Sequence, residues 1–128
     1  MEKLQFTVLE GELSIHRLPA SAPVPDEVFT ATFYSITRTS EELSIVCPED
    51  ININGARTEK GWSCIKIIGP LEFSQTGVLA ALSTSLARAG IAIFVISTFD
   101  TDYILVKSRF LTAAIEQLAA AGYDLLEE

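Results

Sequence analysis

Apolar and polar residues alternate over residues 4–9 (Leu-Gln-Phe-Thr-Val-Leu) and, more loosely, over 13–18 (Leu-Ser-Ile-His-Arg-Leu). A period of two predicts strands with one buried face, and Glu10-Gly11-Glu12 between them predicts the turn of an opening hairpin. Three prolines within residues 19–25 (Pro-Ala-Ser-Ala-Pro-Val-Pro) then remove backbone donors and fix φ, which predicts a connector. Residues 29–37, rich in β-branched and aromatic side chains, and residues 42–47, alternating up to Pro48, predict a second strand pair turning at 38–41. Residues 48–61, with Asn52, Asn54, Gly55 and Gly61, lack a period and predict a loop.

The second half is patterned more clearly. Residues 62–68 predict a strand ended by Gly69-Pro70. Val78, Leu79, Leu82, Leu86 and Ala89 recur at helical spacing, which predicts a helix over 76–89 capped by Ser74 or Thr76 and closed by Gly90. Residues 91–97 form a nearly continuous apolar run, as a buried strand does. Residues 99–101 turn the chain, and 102–107 return it. Ser108 is placed to cap a last helix reaching about residue 121, with Leu111, Ala114, Ile115 and Leu118 inward and Gly122 after it. The order is β-α-β-β-α, an α+β chain. Residues 33–46 and 94–106 are alike, each a strand, a Ser/Thr-rich turn with acids and a return strand. An internal duplication whose first copy has lost most of its helices accounts for this, and so does the ordinary likeness of two hairpins.

The 128 residues suit one compact unit or two very small ones sharing a core, and 48% hydrophobic content supplies that core. A formal net charge of -8 with only isolated basic residues argues against nucleic acid and anionic membrane as partners. No run approaches the ~18 apolar residues of a membrane span. The first residues lack the apolar core of a signal peptide, and Cys47 and Cys64 lie in apolar runs, as reduced thiols do. The expected compartment is the cytoplasm.

Groups for catalysis are scarce. His16 has no ligand-spaced Glu or His beside it, and the cysteines lack a neighbouring base. No phosphate loop or nucleophile elbow is present, and no cofactor or metal is expected. An enzyme would need an acid–base pair, for which Glu72 with Asp102 is the one candidate. Two segments invite a binding role. Residues 69–78, Gly-Pro-Leu-Glu-Phe-Ser-Gln-Thr-Gly-Val, join a strand to a helix whose first amides attract an anion, and Gly77 lets a ligand approach the backbone. Residues 97–102, Ser-Thr-Phe-Asp-Thr-Asp, follow the strand after that helix, and their carboxylates suit an ammonium group. The plainer readings are a capped helix and a turn stabilised by its own Thr and Asp residues.

Residues 69–79 and 96–106 together resemble the ACT domains of bacterial ACT-domain proteins, of the CASTOR-type cytosolic arginine sensors and of the regulatory part of aspartate kinases. The likeness is strong over about residues 60–122 and weaker over 28–47. It implies tandem ACT-like units with ferredoxin-like antiparallel sheets and helices on one face, divided as 1–58 and 59–128. It also implies a regulatory module for an amino acid or similar zwitterion, acting as a homodimer, with a ligand-free dimerisation module as the alternative. Carried over by position, Asp102 would take the ligand's ammonium group. Main-chain groups at Gly77 and Val78, with Ser44 and Ile45, would face its carboxylate, and Glu72, Phe73, Gln75, Thr98 and Phe99 would line the side-chain pocket. Two positions depart from the arginine sensors: Gln75 stands where they carry an acid, and Glu72 where they carry glycine. Arginine specificity is therefore not implied.

Overall fold

The computed structural model describes residues 5–68 and 77–126, apart from the side chains of 77–79. Its strands are β1 (Gln5–Val8), β2 (Leu13–Leu18), β3 (Ser35–Arg38), β4 (Leu43–Pro48), β5 (Arg57–Ile67), β6 (Phe94–Ser97), β7 (Asp102–Lys107) and β8 (Asp124–Leu125), and its helices α1 (Gly77–Arg88) and α2 (Leu111–Ala120). Two compact units are present, one formed by Gly11–Trp62 and the other by Ser63–Glu128 together with Met1–Glu10. Residues 5–10 thus group with the second half of the chain and not with the residues that follow them. The cause is β1, which pairs antiparallel with the second half of β5 (Phe6 with Ile67, Thr7 with Lys66, Val8 with Ile65). Phe6 is thereby fully buried in the second unit's core.

That pairing also removes the expected opening hairpin. β1 pairs with β5 and β8, whereas β2 pairs with β4 and β5, so Glu10-Gly11-Glu12 is a passage between units and not a hairpin turn. β5 begins five residues earlier than the pattern predicts (Arg57 against Trp62). Its first four residues, Arg57–Lys60, are all exposed and carry no hydrophobic period, yet Arg57, Thr58 and Glu59 pair with β2. Between Trp62, which faces Leu13, and Glu59, which faces Ile15, the register shifts by one residue. Gly61 sits at this bulge with φ +79 and donates its N–H to the Glu49 carboxylate at 3.2 Å.

In the first unit the strand order is β3-β4-β2-β5, all antiparallel. Its apolar face carries Leu18, Leu43, Ile45 and Cys47. No α-helix covers it; Val28 of a 3-10 turn (Asp26–Thr30), with Ile51 and Ile53 of the loop before β5, does so instead. The predicted strand over 29–37 thus shrinks to Ser35–Arg38: Phe29 and Thr30 belong to that turn, and residues 31–34 carry the chain from it to the strand.

The second unit runs β5-α1-β6-β7-α2-β8, the βαββαβ order of a ferredoxin-like fold. Its strands lie in the order β6-β7-β5-β1-β8, and the β1–β8 pair is parallel, so the sheet is mixed and not purely antiparallel. β8, two exposed residues long, has no hydrophobic signal in the sequence. Both helices pack into one core: Leu82 and Leu86 of α1 and Ala114 and Leu118 of α2 meet Ile65, Ile67, Ile104 and Val106. α1 ends in a Schellman arrangement, with Ile91 N–H donating to the Leu86 carbonyl and Gly90 N–H to that of Ala87, Gly90 having φ +77. Residues 91–93 then lead into the strand, which is shorter than the apolar run suggests. At α2 the N-cap position falls on Phe110, which makes no side-chain cap, and not on Ser108. Ser108 opens a 3-10 turn, and its hydroxyl lies 2.8 Å from that of Ser63.

The two hairpins correspond at a constant displacement of 59 residues, Ser35 to Phe94 and Leu43 to Asp102. Ile45, Val46 and Cys47 are buried, as are Ile104, Leu105 and Val106. Their turns match in chemistry as well. Thr39 N–H donates to the Glu42 carbonyl (2.9 Å) while Glu42 N–H donates to Thr39 Oγ1 (3.1 Å). Thr98 and Thr101 exchange the same two bonds, at 2.8 and 3.2 Å. This correspondence holds without a gap, in a different register from the one suggested by residues 33–46 and 94–106.

Candidate functional site

In the second unit the chain path gathers three features at one end of the sheet. β5 finishes at Ile67. Thr101, only 5% exposed, donates its hydroxyl to the Ile67 carbonyl at 2.6 Å, which fixes the β6–β7 turn against that strand end. β6 starts at the opposite end, where Phe94 faces Leu105, and only residues 91–93 separate it from the close of α1. α1 therefore finishes at the far end and begins at the near one, the end that carries the β6–β7 turn. Its first amides have no partner within the helix.

Period two then decides which face Asp102 takes. Asp102 continues the row of Ile104 and Val106, whose side chains meet α1 and α2. Ser97 continues the row of Ile93 and Val95, which pack against the same core. Ser97 and Asp102 are a cross-strand pair, and Ser97 Oγ donates to Asp102 Oδ1 at 2.5 Å. Thr98 closes the turn through its hydroxyl, which donates to the Thr101 carbonyl at 3.0 Å. Phe99 stands at the tip, 81% exposed.

Of the residues expected at a site, Thr98, Phe99 and Asp102 thus share one turn, and the main chain of Gly77 and Val78 opens α1 at the same end of the same unit. Glu72, Phe73 and Gln75 lie outside the described residues, as do the capping candidates Ser74 and Thr76. Ser44 and Ile45 belong to the first unit, on its interior strand β4. Ile45 is buried in that unit's core, and each residue has a ladder neighbour on either side: Arg17 and Thr37 for Ser44, His16 and Ile36 for Ile45. Their main-chain groups are occupied by the sheet. Sequence reasoning missed Ser97 and Thr101 as individual residues. Both lay within a recognised turn segment, but only the strand register shows whom they meet.

Elsewhere His16 and the two cysteines read as core. His16 is 2% exposed, with Nδ1 2.8 Å from Thr58 Oγ1, and burial followed by the charge of Lys60 holds it below its usual value. Both cysteines are free and buried. Burial, with Asp50 and Glu27 adding, pushes the Cys47 thiol up to about 11, and burial alone takes Cys64 to about 12, far from a reactive thiolate. Among the described residues, no three His, Cys, Asp or Glu side chains group as metal ligands, and no helix is long and apolar enough to cross a membrane.

Comparison with known proteins agrees with this architecture. The ACT-domain family model matches residues 57–120, and a second model, described as an N-terminal domain, matches residues 11–54. The cytosolic arginine sensor for mTORC1 subunit 1 of Pongo abelii is 31% identical over 125 residues, which are 88% of this chain and 37% of the sensor. The chain thus spans little more than a third of that relative. The crystal structure of a protein from Agrobacterium tumefaciens is 42% identical, with a TM-score of 0.91 over 100% of this chain and 96% of that one. The ligand-free regulatory subunit of aspartate kinase from Thermus thermophilus has a TM-score of 0.62 at 14% identity, over 87% and 93% of the two chains, a likeness of fold alone.

Proposed function

The chain belongs to the ACT-domain family, and from that premise we propose that it is a regulatory module that binds a free amino acid, or a zwitterion like one, and catalyses nothing. The observation that carries this reading is the joint placement of Asp102 and the start of α1 at one end of the second unit's sheet, on one face. An α-amino acid presents an ammonium group and a carboxylate a few ångströms apart. A carboxylate on one side and helix-start amides, which have no partner within the helix, on the other complement both ends. Further support comes from a relative named as a cytosolic arginine sensor. Asp102 takes the ammonium group, Gly77 and Val78 the carboxylate, and Thr98 and Phe99 border the side chain together with Glu72, Phe73 and Gln75. The protein works in the cytoplasm as a homodimer, and arginine is one candidate among the amino acids.

Calorimetric titration of the purified chain with each free amino acid tests this. At least one is expected to saturate, and its N-acetyl derivative, which lacks the ammonium group, is expected not to. Asp102→Asn should weaken that amino acid tenfold or more, since a charge-assisted hydrogen bond contributes about 1.5–3 kcal/mol. A flat response to every amino acid from a folded protein would leave a ligand-free assembly module as the reading.

A further inference from the structure

Asp102 lies at the mouth of a hairpin, where an unrestrained side chain would sample several rotamers and would have to be ordered by each ligand that arrives. The structure supplies a restraint. Ser97 is the residue directly across from it, and its hydroxyl donates to Oδ1 at 2.5 Å. Below this pair the turn is fixed on its own account, by Thr98 N–H to the Thr101 carbonyl, by Thr101 N–H to Thr98 Oγ1 and by the Thr101 hydroxyl to Ile67. Ser97 is therefore not needed to hold the backbone. Its side chain is exposed, with water available as an alternative partner, and it meets Asp102 instead.

We infer that Ser97 is the positioning residue of the ammonium-binding end. It fixes the Asp102 carboxylate through Oδ1, leaving Oδ2 and the remaining Oδ1 lone pair for the ligand. This rests on the amino-acid reading above and deepens it. A carboxylate has about four acceptor positions, so one donor from Ser97 orients the group without using it up. The corresponding pair in the first unit is Arg38 with Leu43, and Leu43 is fully buried, so only the second unit carries such a device.

Two variants of the full chain and two measurements test it. In the ligand-free protein, three-bond side-chain couplings read by NMR should show one Asp102 χ1 rotamer in the parent and in Ser97→Thr, and rotamer averaging in Ser97→Ala. A single rotamer in Ser97→Ala overturns the inference whether or not any ligand exists. In titrations with the free amino acids, Ser97→Ala should weaken the amino acid that binds by about three- to tenfold, the scale of ordering one side chain on binding. Ser97→Thr should restore the affinity, and Ser97→Ala should have no further effect in an Asp102→Asn background. An equal loss in that background would mean a general structural role and would also overturn it. If no amino acid binds the parent, the amino-acid reading fails by itself, and the rotamer measurement still decides whether Ser97 holds Asp102.

Discussion

His16 turns inward from β2, with Thr58 on one ring nitrogen and no hydrogen-bond partner for Nε2. A neutral ring tolerates that place, whereas an imidazolium would bury a charged N–H. Burial and the Lys60 charge accordingly depress its folded-state pKa below 6.5. Because the unfolded chain binds the proton first, the stability contributed by neutral His16 is complete above about pH 6.5 and is lost as the pH falls through the lower folded value. Urea unfolding between pH 7.5 and 5 should therefore show a falling midpoint, and His16→Gln should flatten that fall. Equal slopes for both proteins would assign the effect to carboxylates. Thr101 is a second residue with a single task. Thr101→Val keeps the shape but removes the donor to the buried Ile67 carbonyl, which should reduce stability by about 1–3 kcal/mol. Thr98→Ala, at an exposed position, should reduce it by less in the same denaturation series.

Among the elements, those with an alternating or helical stripe were legible in the sequence. β2 and β7 fall on the predicted residues, and α1 lies within one residue of its expected bounds. The rest failed for identifiable reasons. Arg57–Lys60 are strand residues with every side chain exposed, so pairing gives them order without giving them a pattern. β8 is too short for a period, and β1 reads correctly as a strand while its partner, nearly sixty residues away, leaves no local trace. At the candidate site the same division applies. Asp102 and the glycine at the start of α1 stood out by residue type and place, whereas the Ser97–Asp102 bond needs the hairpin register to be seen. α1 also depends on Gly90, where a Cβ would meet nothing within 4 Å, so a substitution there is strained by φ alone. Gly90→Ala should destabilise by about 1–2 kcal/mol, the usual penalty for a side chain in the left-handed region. Thermal melts would check it, and a neutral result would mean that the helix end relaxes out of its Schellman geometry.

For the whole molecule, binding and sensing are different requirements. Any ligand held by the folded protein alone raises its stability, by about 2.7 kcal/mol at a hundredfold excess over Kd, which for a chain of this length means a melting shift on the order of 10 °C. Such a shift reports occupancy only. A sensor must in addition have two states to which the ligand binds unequally, since equal affinity shifts no population. For a regulatory module, a change of assembly is the simplest second state. Sedimentation velocity with and without the binding amino acid should then show a ligand-dependent change in association, and by linkage the favoured assembly should bind the amino acid more tightly by the same factor. Asp102→Asn should abolish both changes while leaving the ligand-free assembly as it was. A melting shift with no change in association would mean that the chain binds its ligand without transmitting the fact through self-association, and the regulatory output would have to lie in contact with another protein.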